Sequence, residues 1–292
     1  MKLTYKITRM AQVLITSCCL ASCNYLDIIP PAQADFKDTM KDQEATLSFL
    51  YTCYGAVPRS TPFQYHSFEL SADESAAPYE YSNYQQQVAW GTISPAFYSS
   101  WGGDDQTIWV PSYNWLGYVH HFLSLIDELQ PVGVTQEDKE EYKAECYFLE
   151  AYYHFRVLQA FGPCPLITEK VDPNITNEGI PGRSHFDYCV DYIVGKLDQA
   201  AGVLPATRPT NYLGRATSTV ARALKARVLL YAASPLWNGS FPHPEWKNKN
   251  YETPGYGNEL VSTTYNPEKW TRALTACQEA LTAAKAAGYQ LF

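Results

Sequence analysis

The sequence is short of positive charge. Its 22 Lys and Arg face 30 Asp and Glu, a formal net charge of −8 over 292 residues. Nucleic acid needs a basic surface, so it is not a partner. The chain also has no apolar run of the roughly 20 residues that a helix needs to cross a bilayer. Catalytic signatures are missing as well: there is no GxSxG elbow, no phosphate-cradling glycine loop, no calcium-loop pattern and no HExxH pair. His120 and His121 are neighbours on a helix and point in different directions, so they cannot share one ion and read as one surface and one core imidazole. His154 lies inside a long aromatic helix and reads as a packing residue. No pair of the eight cysteines has CxxC spacing. Strand-type alternation does not persist beyond a few residues, which excludes a sheet-centred body. No catalytic residue, metal ligand or cofactor is therefore expected.

What is present begins with an export signal. Lys2, Lys6 and Arg9 precede a short apolar stretch from Ala11 to Leu20, and LASC at 20–23 resembles the bacterial lipobox. Residues 1–22 then form a signal peptide, and the Cys23 thiol carries lipid. Two or three acyl chains hold a protein at a membrane where one does not. Loss of the three N-terminal cations takes the mature charge to −11. Residues 23–40, with Pro30-Pro31 and no helical period, read as an extended tether. Cys53, Cys146, Cys164, Cys189 and Cys277 stay in the mature chain. Their apolar neighbours suggest inert buried thiols, although after export one pair could be bridged and spacing does not say which.

From residue 41 onward the pattern is helical. Leu47, Leu50, Tyr51 and Tyr54 repeat at helical spacing until Gly55 and Pro58. A second helix is expected over Trp109–Leu129. A long one over Gln136–Phe161 places Tyr147, Phe148, Ala151, Tyr152, Phe155, Leu158 and Phe161 on one face, puts charges opposite, and stops at Gly162-Pro163. Further helices follow over His185–Val203 and Thr217–Ala233, and a last one is capped by Asn266 with Pro267 at its first position and Gly288 past its end. Small residues where helices should touch (Ala151, Ala160, Ala223, Ala226, Ala232, Ala273, Ala280 and Ala284), with rings between them, indicate tetratricopeptide-like hairpins. The expected fold class is all-α, interrupted by an irregular, loop-rich insertion.

Several of these segments together carry a family resemblance. ECYFLEAYYHFRVLQAFG at 145–162, GR at 214–215, ARALKARVLLYAASPLWNG at 221–239, PEKW at 267–270 and CNYLD at 23–27 resemble, in order, the motifs of SusD/RagB-type outer-membrane lipoproteins. The resemblance implies a SusD-like helical domain over 41–292 that lies at the cell exterior on a lipid anchor. It further implies capture of oligosaccharide and delivery to a SusC-like TonB-dependent transporter. Family members continue well past the last of these motifs, so the chain reads as a truncated, N-terminal portion.

The insertion holds the candidate ligand site. Between Tyr65 and Tyr118, 13 of 54 residues are aromatic and alternate with polar ones, a composition suited to sugars. A pyranose offers a C–H face to a ring and hydroxyls that need paired hydrogen bonds. Trp90, Tyr98 and Trp101 are the expected platforms, and Asp73, Glu74, Asp104 and Asp105 the hydroxyl partners. The acid pairs are sequence neighbours on loops and cannot straddle a glycosidic bond as a hydrolase requires. Trp109, Tyr113 and Tyr118 read as core, whereas Trp237 and Trp246 read equally as packing plugs or as rim contacts. The alternative function is a tetratricopeptide-type lipoprotein scaffold that binds only protein or peptide.

Overall fold

The structure is a computed structural model that describes residues 36–57, 90–91, 108–172, 174–176 and 179–290. The chain divides after Thr39, and of the first unit only a 3-10 turn within Phe36–Met40 is described. The second unit contains six α-helices among the described residues: α1 Gln43–Cys53, α2 Trp109–Ile126, α3 Gln136–Phe161, α4 Phe186–Val203, α5 Ser218–Ala233 and α6 Glu268–Ala286. Pairing of extended backbone among these residues is limited to isolated bridges, such as Asp42 with Val132.

Most of the helices start where a side chain can take up a free backbone N–H, whereas α2 begins after Ile108 without a side-chain cap. Asp42 Oδ1 accepts from Ala45 N at 2.9 Å, and Thr135 and Asp138 form a reciprocal capping box at α3. Thr217 Oγ1 accepts from Val220 N at 3.2 Å, and Asn266 Oδ1 from Glu268 N at 2.9 Å. Helix α3 ends at Gly162, whose φ of 67° and ψ of −145° suit only glycine. A Cβ there would come within 2.8 Å of the Trp237 ring.

Packing follows chain order. Helix α2 lies on α1 and α3, α4 on α3, α5 on α4, and α6 on α5. One continuous core contains Leu50, Leu116, Phe122, Leu149, Leu158, Ile193 and Leu197, all fully buried. Truncating any of these leucines to alanine costs about 2–5 kcal/mol. The observed helices agree with the sequence expectations to within a residue or three. Not every packing expectation holds. Tyr118 is exposed on α2, with its ring 6.0 Å from that of Trp115 on the same helix. Ala223 is exposed as well, lying about two residue steps of 100° from the buried Ala221 on α5.

The charged face of α3 is not all solvated. Glu145 is fully buried and binds three side chains from outside its helix. Tyr54 Oη donates to it at 2.5 Å, Arg208 Nη2 at 3.1 Å and Arg215 Nε at 3.0 Å, with Arg215 Nη2 in still closer contact. Glu141 takes Arg208 Nη1 at 2.5 Å, so two carboxylates face two guanidinium groups. Tyr54 Oη in turn accepts from Ala216 N at 2.9 Å. The end of α1, the middle of α3 and the loop before α5 thus meet at one neutralised cluster.

Candidate ligand-binding site

Of the platform candidates only Trp90 belongs to the described residues, where it sits on a turn and is 63% exposed. Such exposure leaves an indole face available for stacking. Tyr98, Trp101, Asp73, Glu74, Asp104 and Asp105, together with the lipidation candidate Cys23, lie outside the described residues.

A cleft of about 350 Å³ opens between α2 and the segment leading into α4. Trp109, Tyr113 and Gly117 form its helical wall, and Ile167, Val171, Ile175 and Ile180 face them, with the exposed carboxylate of Glu169 as a polar group at the side. A mostly apolar cleft of this size with a few polar groups is the usual form of a small-molecule site. Trp109 and Tyr113 were expected in the core. They are half-buried instead, packed on one side and turned to the cleft on the other. The opposite wall was not legible in the sequence, because residues 163–181 have no period and their isoleucines are scattered.

This wall is pinned by buried polar groups. Tyr113 Oη donates to the Pro165 carbonyl at 2.8 Å. His120 Nε2 lies 2.8 Å from Ile167 O, and Ile167 N donates to His154 Nε2 at 3.1 Å, so two imidazoles hold both sides of one residue's backbone. His154 Nδ1 is 2.8 Å from Glu150 O and must carry the proton, since Nε2 accepts. A neutral ring with one donor and one acceptor matches its burial, which drives its pKa down to about 3. Burial lowers that of His120 as well. The expectation of a satisfied packing histidine at 154 holds; of the neighbours expected as one core and one surface imidazole, His120 is buried and His121 is half-buried.

Beneath them, Glu150 is fully buried and neutralised by Lys196 at 2.9 Å. Tyr192 Oη donates to the same carboxylate, and burial, reinforced by that negative charge, raises the phenol's pKa well above its usual value. Lys196 also lies 4.9 Å from the Tyr147 ring, a cation–π contact.

Aromatic rings continue away from the cleft. Arg183 lies 5.2 Å from the Trp109 ring and 5.6 Å from that of Trp246, while its Nη1 donates to Pro163 O at 2.5 Å. Trp246 stacks toward Phe241, Phe241 on Trp237, and Trp237 on Phe186 at 4.1 Å. Trp237 is therefore a buried plug, whereas Trp246 remains half-buried.

A second, polar hollow of about 140 Å³ lies beside α4 and α6, where Asp187 meets Lys269 at 2.5 Å. Ser262, His185 and Asp187 gather there with the residue types of a hydrolytic triad, but the hydrogen bonds run the wrong way for one. Asp187 N donates to His185 Nδ1 at 3.1 Å, so the proton sits on Nε2, the nitrogen 3.4 Å from Ser262 Oγ. Ser262 Oγ donates to Asp187 Oδ2 at 2.9 Å. A general base would have to present a bare nitrogen to the serine. What this cluster does is cap α4 and tie it to α6.

Among the described residues, six helices stacked in chain order, with an aromatic-walled cleft at their flank, define a tetratricopeptide-like helical protein. The comparisons narrow the class. The family model SusD-like_3, described as "Starch-binding associating with outer membrane", matches residues 24–230, and the chain belongs to that family. Among solved structures, BT4246 is 46% identical with a TM-score of 0.76, over 85% of this chain and 41% of its own. A SusD-like protein from Bacteroides fragilis matches at 20% identity and a TM-score of 0.60, over 88% of this chain and 40% of its own. A protein described as a laminarin binding SusD-like protein matches at 20% identity and 0.54, over 72% and 45%. At 20% identity, the last two speak for the fold alone. The chain spans about two fifths of the length of these structures. No curated protein matches it.

Proposed function

We propose that the chain works as a lipid-anchored, glycan-binding protein at the outside of the outer membrane, capturing oligosaccharide for a partner TonB-dependent transporter and not cleaving it. The observation that carries this reading is the family match over residues 24–230. The exposed ring of Trp90, in an insertion rich in aromatic and acidic residues, supports a stacking site for sugar. The laminarin-binding relative shows that the same fold can serve such a ligand. Calorimetry of the mature full-length protein against soluble glycans, starch and laminarin oligosaccharides among them, should give saturable binding with no new reducing ends. Trp90→Ala or Trp101→Ala should weaken it roughly tenfold without lowering the melting temperature. Unchanged binding in both, with loss in Trp109→Ala, would move the site into the cleft. Cys23→Ala should abolish incorporation of labelled fatty acid.

One observation favours the protein-binding alternative. Trp270, Leu274 and Leu281 are exposed along one side of α6, as a helix prepared for another protein surface would have them. Absence of binding to any glycan, together with retention of a peptide or protein ligand, would favour that reading.

A further inference from the structure

The five cysteines of the folded region are an odd set in the sequence, and the fold sorts them. Cys53, Cys146, Cys164 and Cys189 are fully buried, whereas Cys277 lies half-buried on α6. Cys53 ends α1 against the middle of α3. Its carbonyl accepts from Tyr153 Oη at 2.6 Å, and the next residue, Tyr54, binds Glu145. Cys146 lies between these two contact points on α3, so that the fold brings residue 146 beside Cys53, whose thiol is among the groups acting on that of Cys146.

The second pair meets at the start of α4. Ser184 N donates to Cys164 O at 3.0 Å, which brings residue 164 beside the helix entrance. Cys189 Sγ donates to Cys164 O at 3.6 Å and to Ser184 O at 3.5 Å, which sets this thiol beside residue 164. Among the described residues no group of three or more metal-binding side chains forms, so neither pair belongs to a zinc site of the usual four ligands.

We propose that Cys53–Cys146 and Cys164–Cys189 become two disulfides while the exported chain folds, leaving Cys277 as the single free thiol of the folded region. The proposal rests on the export reading of residues 1–23, since disulfides persist in oxidising compartments and not in the cytosol. Each bridge forms by exchange with a disulfide oxidant, either a protein or a small molecule. One cysteine thiolate attacks an oxidant sulfur and expels its partner thiolate. The second cysteine then displaces the oxidant from the mixed disulfide. Two electrons pass to the oxidant, and the two thiol protons, exchanged through water, end on its two sulfurs, so that it leaves in the reduced, thiol form. The reaction belongs to folding and not to the finished protein. Once buried, Cys146 has its thiol pKa raised by loss of water and by Cys53, and Cys164 by the neighbouring Cys189 and by burial, so few attacking thiolates remain.

The test is to isolate the full chain from cells that export it, quench with acid, alkylate under denaturing conditions without reductant, and map the peptides. The expected result is two linked peptide pairs, 53 with 146 and 164 with 189, and alkylation at Cys277 alone among the five. Reduction before heating should lower the melting temperature by on the order of 10 °C, because the first bridge closes a very long loop. A Cys53→Ser/Cys146→Ser variant should lose most of that reductant dependence. Alkylation of all five, or crossed pairing, overturns the proposal. In parallel, the full chain carrying Cys18→Ser, Cys19→Ser and Cys23→Ser is refolded in a glutathione redox buffer. If it forms both bridges while the exported chain has neither, the export reading has failed. If neither preparation forms them, the pairing geometry has failed.

Discussion

Replacing Arg215 with alanine removes a buried guanidinium from the cluster around Glu145. The guanidinium contacts buried Glu145 through Nε at 3.0 and 3.2 Å and through Nη2, and reaches Glu141 at 3.2 Å. It also lies 5.0 Å from the Tyr212 ring and 5.6 Å from that of Tyr142. After truncation Glu145 keeps Tyr54 and Arg208, but the buried cluster passes from balanced to one negative charge in excess. Breaking a buried pair costs about 3–5 kcal/mol. The surviving partners put this case near the lower end, and each lost cation–π contact adds about 0.5 kcal/mol or more. A loss of about 3–4 kcal/mol corresponds to a fall in melting temperature of on the order of 10 °C in a body of this size. Guanidinium unfolding followed by far-UV circular dichroism measures it, with an unchanged m-value as the check that only stability has moved. Arg215→Lys retains the charge but not the forked geometry and should fall between parent and alanine variant. If Arg215→Ala unfolds within about 1 kcal/mol of the parent, the cluster does not hold α1, α3 and the loop before α5 together.

Two other perturbations have definite signs. His154 is neutral when folded, with a pKa near 3, and returns to about 6.5 when unfolded. The unfolded chain therefore binds the extra proton, so this contribution to stability is complete above pH 6.5 and declines as pH falls toward 3, by about 2 kcal/mol between pH 6.5 and 5. Burial shifts His120 and His185 in the same direction. Denaturant midpoints should drop over that range, and His154→Asn should flatten the dependence. Gly162→Ala should destabilise by about 3 kcal/mol, since it combines a backbone conformation reserved for glycine with a methyl pressed against Trp237. Thermal melts of parent and variant check it, and an unchanged midpoint would show that the helix end adjusts freely.

Helix positions were legible because their signals are local. The Thr135 box, the Asn266 cap and Gly162 operate within a few residues, and the rings of α3 announce one buried face. What lay across the chain was not. Glu145 and Glu150 occupy a helix whose early turns are charged, and a carboxylate in such company reads as solvated. Only the fold reveals Arg215 and Arg208, more than 60 residues away, or Lys196 and Tyr192, more than 40 away, as their partners. Tyr118 misled for the converse reason: an aromatic residue on an apolar helix suggests burial, but which face turns outward is decided by the neighbouring helix. The cleft wall from Pro165 to Pro181 depends on hydrogen bonds from His120, His154 and Tyr113, none of which leaves a mark in the sequence around it. Of the proposed sugar platforms, Trp90 is visible as an exposed ring; its companions fall outside the described residues.

Arg183 within reach of both Trp109 and Trp246 has an optical consequence. Indole emission responds to a nearby cation, and here a single guanidinium touches one ring that lines the cleft and another in the loop beyond it. A ligand that displaced Trp109 would change the surroundings of both fluorophores at once, an intrinsic, label-free signal that the hollow is filled.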